Sequence, residues 1–325
     1  MNTKLTICVP TYGRPTILHA TLLELIKQAR PHAIEIVIAD NSEDDKTRHA
    51  VSSLGSVYPH IRYEKNEVNV GLDRNFVKVA SMANTEFFWI FGDDDLPVPG
   101  AIDKVLSEIS SNPTVGFFLI NSMAMSADMS QCLEENLTGV YSDKVYTDHR
   151  EFLREISWYT TYVGAFVVRR TLWNSVKSER YLDTVFVHVG IIFEALCRTR
   201  QPAKFVAAPL IQYRTGNATW MKSFLDIQFR LWMTVINLLP TDCYDLPTRR
   251  IAVQKVVERF VKVRTLASLR STSSLNWQSF KKSVYPYFAF ADKKRLSTWR
   301  IVGASVALLL LPVAPLRGLK TWVKG

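Results

Sequence analysis

The chain has 325 residues, 47% of them hydrophobic and 22% charged, which excludes a disordered, collagen-like or low-complexity protein. This length predicts one or two domains. Positions 241–325 carry 16 lysines and arginines against 4 acidic residues, a net charge of +12, while the first 240 positions carry −2. A basic segment of this kind predicts a polyanionic partner, either nucleic acid or a membrane surface.

Apolar runs and helical patterns alternate through the first 120 residues. Strands are predicted at 5–9, 35–39, 61–64, 86–91 and 115–120, and helices at 16–29, 44–54, 72–82 and 100–109. This alternation predicts an α/β fold with a mostly parallel sheet, whose ligand would lie at the carboxyl ends of the strands. The stretch 121–160 has no clear period, which predicts a loop-rich crossover.

Beyond residue 160 the pattern changes from strands to helices. Strands are predicted at 162–168 and 205–208 around a helix at 187–198, followed by helices at 224–239, 249–269 and 277–290. We therefore expect an α/β domain at 1–220, with halves at about 1–120 and 121–220. A helical, basic region is expected at 221–325.

An uncharged run of 16 residues, Ile301 to Leu316, lies near the end of the chain. It is shorter than the ~20 apolar residues that span a bilayer, but basic residues flank it and Trp299 and Trp322 stand at its ends. We predict a membrane-associating segment at 299–322 that lies in or re-enters an anionic cytoplasmic leaflet. A buried core helix is the alternative. Nucleic acid is not expected, because the basic residues are interleaved with aliphatic ones.

Three adjacent carboxylates, Asp93, Asp94 and Asp95, directly follow the predicted strand 86–91. Adjacent carboxylates repel one another, and a divalent cation would neutralise them. Oxygen ligands predict Mg²⁺ or Mn²⁺, which would offset negative charge on a leaving diphosphate. A solvated acidic turn is the alternative.

Other polar segments lie at the ends of the neighbouring predicted strands. Residues 10–14 (Pro-Thr-Tyr-Gly-Arg) follow the first strand, and Asp40 and Asn41 follow the second. In the segment 69–75, Gly71 permits close backbone approach and Arg74 can pair with phosphate. Asp40 and Asn41 can hydrogen-bond a base or a ribose. Asp40 as a helix N-cap and Arg74 as a surface residue are the alternatives.

Taken together, these segments resemble family 2 glycosyltransferases of the GT-A fold, strongly over residues 3–120 and weakly to about 220. The segments 66–76 (NEVNVGLDRNF) and 89–95 (WIFGDDD) look most like bacterial O-antigen enzymes of the abequosyltransferase type. The resemblance implies a nucleotide-diphosphate sugar donor, a divalent metal and an inverting displacement, and the likeness to abequosyltransferases points to a CDP-deoxysugar. The implied acceptor is a polyprenyl-diphosphate-linked glycan at the cytoplasmic face of the inner membrane.

The resemblance also implies roles for individual residues. Asp93 would face the ribose, and Asp94 or Asp95 the metal; many members have an aspartate where Gly92 stands, so the choice among the carboxylates stays open. Arg214 resembles an arginine that contacts the diphosphate, with a surface salt bridge as its alternative. The donor-binding residues predicted in this way are Pro10, Thr11, Tyr12, Arg14, Asp40, Asn41, Asn69, Gly71, Arg74, Asn75, Asp93 and Arg214.

An inverting transfer needs a general base to deprotonate the acceptor hydroxyl. The family usually places an aspartate, often within a Glu-Asp pair, about 90 residues after the metal motif, and no such pair occurs here. His188 lies nearest the expected position and has an ordinary pKa of ~6.5. Asp183 is the rival candidate, and a purely structural role is the alternative for His188.

Two other functions stay open on the sequence alone. A sugar nucleotidylyltransferase has a similar α/β fold, although residues 10–14 lack the glycine-rich phosphate loop usual in that class. A non-catalytic protein with a degenerate GT-A domain would use the basic segment to bind a membrane surface.

Overall fold

The computed structural model describes residues 4–216 and 219–313. The chain divides into two compact units. The first comprises residues 1–152, 159–183 and 187–217, and the second comprises residues 153–158, 184–186 and 218–325. The sequence-based division lies after residue 220, close to the last of these boundaries.

The first unit is built on one mixed β-sheet. Its strands follow the order β3-β2-β1-β4-β9-β6-β10-β5, with β7 paired to β6 and β8 paired to β10. In chain order the strands are β1 (Leu5–Thr11), β2 (Glu35–Asp40), β3 (Ile61–Lys65), β4 (Phe87–Ile90), β5 (Leu96–Pro97), β6 (Phe117–Met125), β7 (Cys132–Glu134), β8 (Lys144–Tyr146), β9 (Phe166–Arg169) and β10 (Ala203–Arg214).

The helices follow the sequence pattern closely in the first half of the chain and less closely in the second. They are α1 (Pro15–Ala29), α2 (Lys46–Gly55), α3 (Leu72–Ser81), α4 (Ala101–Ser111), α5 (His149–Ile156), α6 (Arg170–Trp173), α7 (Val187–Thr199), α8 (Trp232–Leu238), α9 (Leu246–Phe260), α10 (Val263–Ser271), α11 (Trp277–Ser279), α12 (Tyr285–Phe290) and α13 (Leu296–Leu310). Short π-helical turns precede α8 and join α11 to α12.

The prediction of a mostly parallel sheet is correct in part: β6 and β10 also pair in parallel, but antiparallel strands lie beside them. Strands β1, β2, β3 and β4 pair in parallel. Strand β9, however, runs antiparallel between β4 and β6, and β5 and β8 pair antiparallel with β10. The sheet is therefore mixed. Because β9 is antiparallel to both of its neighbours, β6 runs in the same direction as β4. Strand β10 is parallel to β6, so β4, β6 and β10 all end at the same edge.

Burial on both faces explains why the first strands are almost wholly apolar. Every residue of β1 is buried, and alternate side chains point to opposite faces. Ile7 and Val9 pack in a core with Leu18 and Leu22 of α1. Helix α3 packs against β1 and β2, and buries Phe76. The carboxyl ends of β1, β2 and β4 are thereby held at one edge of the sheet.

Two sequence predictions are corrected by the structure. The stretch 121–160 is not a simple loop-rich crossover, because β6 continues to Met125 and β7, β8 and α5 follow. The single helix predicted at 249–269 is two helices, since Val261 and Lys262 have extended backbone angles between α9 and α10. No glycine or proline in this stretch signals the break.

The second unit is helical, and α13 buries one of its faces within it. Thr298, Ile301 and Ser305 are buried on that face. At the other end of the helix, the Arg270 side chain donates hydrogen bonds to the carbonyl oxygens of Leu308 and Leu311, at 3.1 and 2.9 Å. In the described residues, 4–216 and 219–313, no helix is both long and apolar enough to cross a bilayer. The predicted segment 299–322 is described only as far as residue 313.

Candidate active site

The three carboxylates lie where β4 ends, beside the end of β1. The Thr11 hydroxyl donates to Oδ2 of Asp93 at 2.7 Å, and Arg14 Nη1 donates to Asp93 Oδ1 and Asp94 Oδ2 at 3.2 and 2.6 Å. The predicted closeness of residues 10–14 to the acidic triplet is thus present. Arg14 supplies part of the positive charge that three adjacent carboxylates need.

Asp95 points away from Arg14 and into the unit. Its Oδ2 accepts a 2.5 Å hydrogen bond from the Tyr162 hydroxyl, and its Oδ1 accepts one of 3.0 Å from the backbone N–H of Arg214. The Arg214 side chain donates to the carbonyl oxygens of Asp94 and Ala127, at 2.8 and 2.6 Å. Arg214 therefore braces the acidic loop in this structure, and its predicted contact with a diphosphate stays a prediction.

Two carboxyl groups of the acidic loop ionise less readily than a free aspartic acid. Burial raises the pKa of Asp93 to about 6 and that of Asp95 to about 7, and repulsion by Asp94 adds to both increases. In the part of the chain that the structure describes, no three His, Cys, Asp or Glu side chains form a metal-binding group. One or two carboxylates together with donor phosphates and water would still suit Mg²⁺. Asp94 and Asp95 as its ligands stay a prediction.

Asp40 and Asn41 lie at the end of β2, and both are buried. Asp40 accepts hydrogen bonds from the backbone N–H of Ser42 and the hydroxyl of Tyr63, each at 2.7 Å. Asp40 does not cap a helix, because the next helix, α2, begins at Lys46 and has Asp45 as its N-cap residue. Its carboxylate fixes the turn after β2. Tyr12, by contrast, is exposed at the end of β1 and presents an open aromatic face.

Three buried asparagines form an amide network under this edge of the sheet. Asn66 Nδ2 donates to Oδ1 of Asn41 and of Asn75, at 2.6 and 2.9 Å. Asn75 in turn donates to the carbonyl oxygen of Ala39, and Asn41 to that of Gly71. The network joins β2, the loop after β3 and the start of α3. Asn69 stands on that loop, where its Oδ1 accepts from the Gly71 N–H at 2.9 Å.

The start of α3 also binds the segment that precedes α7. Arg74 donates to both carboxylate oxygens of Asp183, at 2.6 and 3.3 Å. Asp73 accepts a hydrogen bond from the backbone N–H of Val187, the first residue of α7. Arg74 is thus a partner of Asp183 in this structure, and its predicted contact with phosphate stays a prediction.

The two candidates for the general base have opposite surroundings. The side chain of Asp183 is 75% exposed, and the adjacent Arg74 lowers its pKa. His188 is only 2% exposed, lies edge-on to Phe76 and Phe166, and hydrogen-bonds through Nε2 to the Thr160 carbonyl at 3.2 Å. Burial lowers the pKa of His188 to about 3. Of the two, only Asp183 faces solvent, where an acceptor would arrive.

Sequence reasoning missed three contributors to this site. Asn66 opens the segment 66–76, and its signal was that of a polar residue directly after a predicted strand. Tyr162 gave no signal, because its role depends on the contact of its hydroxyl with a residue 67 positions earlier. Thr21, whose hydroxyl donates to the Asp93 carbonyl oxygen, lay hidden in the buried face of α1.

A family model matches residues 6–174 and is described as Glycosyl transferase family 2. The match covers just over half of the chain and includes the whole acidic loop. The chain belongs to glycosyl transferase family 2. This membership excludes the nucleotidylyltransferase alternative and identifies the protein as a glycosyltransferase.

The sequence and the fold have relatives within this class. The chain is 25% identical over 230 residues to the abequosyltransferase RfbV of Salmonella typhimurium, which covers 67% of this chain and 68% of RfbV. The fold is similar to that of S. aureus TarS 1–349 in complex with UDP-GlcNAc, with a TM-score of 0.59 at 13% identity over 98% of this chain and 92% of TarS. It is also similar to the mannosyltransferase PcManGT of Pyrobaculum calidifontis in complex with GDP-Man and Mn²⁺, with a TM-score of 0.51 at 16% identity over 99% and 84%.

Proposed function

We propose that this glycosyltransferase moves a deoxysugar from a CDP-sugar to a lipid-linked oligosaccharide during the synthesis of a bacterial surface polysaccharide, with inversion at the transferred carbon. The observation that carries the proposal is the acidic loop 93–95 at the shared edge of β1, β2 and β4, beside the exposed ring of Tyr12. The similarity to an abequosyltransferase supports the deoxysugar donor.

The donor would lie across the ends of β1, β2 and β4. Tyr12 offers an aromatic face for the base, and the buried asparagine network holds the loops on either side in place. Arg14 is positioned to hold Asp93 and Asp94 together while a diphosphate binds. A bound Mg²⁺ or Mn²⁺ would act there as a Lewis acid that offsets charge on the leaving diphosphate.

Asp183 is the general base in this proposal. Its carboxylate would take the proton from the acceptor hydroxyl as the hydroxyl oxygen attacks the anomeric carbon and the nucleoside diphosphate leaves from the opposite face. The bidentate contact with Arg74 fixes the orientation of the carboxylate before the acceptor arrives. His188 then has a structural role between two phenyl rings.

The second unit is proposed to bind the cytoplasmic leaflet of the inner membrane. At the start of α13, Leu296 is 83% exposed and Trp299 is 52% exposed. Lys293, Lys294 and Arg300 are exposed around them. An aromatic and an aliphatic side chain surrounded by cations suit an interface with anionic lipids. Such binding would place the enzyme at the surface where a lipid-linked acceptor resides.

Thermal stabilisation by nucleotides tests the proposal directly. UDP, CDP, GDP and dTDP are each added to the purified protein with and without Mn²⁺. Binding to the folded state alone stabilises it by about 2.7 kcal/mol at 100 times Kd. We expect CDP to give the largest shift, most of it dependent on Mn²⁺. The Asp94→Asn variant should lose the Mn²⁺-dependent part, whereas Asp103→Asn, which changes an exposed carboxylate on α4, should retain it.

Each part of the proposal has its own contradicting result. A larger shift with another nucleotide would overturn the CDP-sugar donor but not the donor site. Equal shifts with and without Mn²⁺ would overturn the proposed role of a metal ion in nucleotide binding. The absence of any shift would favour a catalytically silent GT-A domain, the alternative that the sequence left open.

A further inference from the structure

A cleft of about 740 Å³ lies in the first unit, away from the acidic loop. One wall is formed by Met123 of β6 and by Ala207, Ala208 and Pro209 of β10, and the other by the loop that joins β7 to β8. Most of this lining is apolar, and the polar side chains are confined to the loop. This combination of an apolar wall and a few polar groups is typical of a site for a small organic ligand.

An irregularity in β10 creates the cleft. The strand pairs with β8 at 203–205 and with β5 at 211–212, so the edge between these pairings has no strand partner on that side within the described part of the chain. Its register against β6 shifts twice, on either side of Pro209. A bulge at a proline opens the edge of the sheet, because proline has no N–H to donate.

The polar side chains of the cleft fall into two groups. Asn136 and Asp143 are used internally: Asn136 Oδ1 accepts from Asn121 Nδ2 at 2.7 Å, and Asp143 Oδ1 accepts from the Ala207 N–H at 2.9 Å. In the described residues, Glu135 and Tyr141 have no hydrogen bond or ion pair. The cleft therefore offers a carboxylate and a phenol whose hydrogen-bonding capacity the fold does not use.

Tyr141 is 85% exposed and follows a turn that side-chain hydrogen bonds hold together. The Asn136 side chain accepts hydrogen bonds from the backbone of Thr138 and Gly139 and donates one to the carbonyl oxygen of Val140. These bonds fix the backbone of residues 138–140, directly before Tyr141. An exposed aromatic ring contributes little to the core, and the ordered backbone beneath it reduces the entropy lost on binding.

The charge of the cleft selects among ligands. Lys204 pairs with Asp143 at 3.1 Å, so Glu135 is the carboxylate of the lining that has no ion pair among the described residues, and it would repel a phosphate or diphosphate group. A neutral saccharide matches the remaining features. Its apolar face can stack on Tyr141, and its hydroxyl groups can donate to Glu135.

We propose that this cleft is a saccharide subsite for the acceptor glycan, remote from the point of transfer; the proposal rests on the glycosyl transfer to an oligosaccharide put forward above. Strand β10 carries both Pro209 in the cleft and Arg214 at the acidic loop. Five residues of strand separate them by about 17 Å, a distance of a few sugar units. The cleft would thus bind a sugar of the acceptor other than the one that is glycosylated, and Tyr141 and Glu135 would set the acceptor specificity.

Saturation-transfer NMR with a panel of neutral trisaccharides of mannose, galactose, rhamnose and glucose tests this subsite. We expect at least one member to bind the full-length protein. The Tyr141→Ala and Glu135→Gln variants should each weaken that binding at least tenfold. Tyr285→Ala and Glu179→Gln, which change exposed residues elsewhere, should alter it less than twofold. Both substitutions in the cleft affect exposed side chains, so the fold should persist.

The same samples separate the failure of this inference from the failure of the proposed function. If no trisaccharide binds, or if the two substitutions leave binding unchanged, the subsite is overturned. Binding of inorganic diphosphate that is lost in Glu135→Gln or Tyr141→Ala would also overturn it, since the cleft would then be an anion site. A Mn²⁺-dependent shift with CDP in these samples would leave the proposed glycosyl transfer standing.

Discussion

The hydroxyl of Tyr162 donates a 2.5 Å hydrogen bond to Oδ2 of Asp95, which lies 67 residues earlier in the chain. Both groups are within the first unit, and Asp95 is almost completely buried. The bond ties the acidic loop to the segment that precedes β9. A carboxylate in such a position depends on its donors, because water cannot replace them.

Tyr162→Phe should therefore destabilise the first unit. A hydrogen bond contributes about 0.5–1.5 kcal/mol between neutral groups and about 1.5–3 kcal/mol to a charged group, and its loss leaves the Asp95 carboxyl group with one partner fewer. Urea unfolding, with hydrogen exchange at β4 and β9 as the local probe, measures the change. Tyr141→Phe, at an exposed ring with no hydrogen bond among the described residues, should alter stability by less than about 0.5 kcal/mol. Equal stability of the two variants would contradict the role of Tyr162.

Gly92→Ala should displace the Asp95 carboxylate through a steric clash. A Cβ atom at Gly92 would overlap Oδ2 of Asp95 and lie 3.1 Å from its Cγ. Asp95 cannot move away without losing the Tyr162 bond, so we expect a loss of about 1–3 kcal/mol and weaker binding of nucleotide with Mn²⁺. Gly55→Ala is the matched control, because no atom lies within 4 Å of its added Cβ. The control should be neutral or slightly stabilising, since alanine favours a helix. Wild-type behaviour of Gly92→Ala would refute the steric argument.

Asp183→Asn should reduce transfer at least ~10²-fold, the usual contribution of a general base, while stabilisation by nucleotides stays unchanged. His188→Gln should lower the rate far less, because a 2% exposed imidazole between two phenyl rings does not meet the acceptor. Single-turnover rates measured beside the nucleotide-induced shifts distinguish loss of chemistry from loss of the donor. A strong defect in His188→Gln with normal rates in Asp183→Asn would restore the histidine as the base.

The buried His188 predicts a pH dependence of stability. Its pKa is lowered by burial to about 3 in the folded protein, against ~6.5 in the unfolded chain, so only the unfolded chain binds the proton between these values. The free energy of unfolding therefore keeps its full value above pH 6.5. It decreases as the pH falls toward 3, by roughly 1.4 kcal/mol per pH unit, because protonation stabilises only the unfolded chain.

A variant without this imidazole should lose that part of the acid sensitivity. Between pH 6.5 and 4.5, the stability of wild type should fall by about 2–3 kcal/mol more than that of His188→Gln. Urea unfolding at the two pH values measures this, and all other titrating groups cancel in the comparison. Parallel losses in the two proteins would show that His188 is protonated in the folded state or has access to water.

Charge reversal at the start of α13 should weaken binding to anionic vesicles. Each lysine near such a surface contributes about 1 kcal/mol, so Lys293→Glu with Lys294→Glu should reduce the bound fraction at least tenfold. Lys46→Glu, an exposed change in the first unit, should have little effect beyond the altered net charge. Deleting 297–325 is a poorer test, since it removes Ile301 and other buried residues of α13. Unchanged sedimentation with vesicles would contradict the proposed membrane surface.

The sequence predicts the first half of the fold well because whole strands are buried there. Strands β1 and β4 are buried throughout, so each appears as an unbroken apolar run closed by polar residues. The sequence pattern predicts strand β10 only at 205–208, immediately before Pro209. The structure extends it to Arg214 by absorbing the proline in a bulge. A periodic pattern carries no information about such an irregularity.

The candidate site likewise contains groups that the sequence predicts and groups that it does not. The acidic loop and the turns after β1 and β2 are local in sequence, and their meeting follows from parallel strands that end at one edge. The partners of these groups come from distant segments, as Tyr162 does for Asp95 and Asp183 does for Arg74. Since such pairings depend on the crossing of β9 and the placement of α7, they emerge only in three dimensions.

The asparagine network of Asn41, Asn66 and Asn75 is uncharged, and this has a practical consequence. Salt screens the attraction between lysines and a lipid surface, but it does not screen hydrogen bonds between buried amides. High salt should therefore weaken the proposed attraction of Lys293 and Lys294 to anionic lipid while this edge of the sheet stays intact.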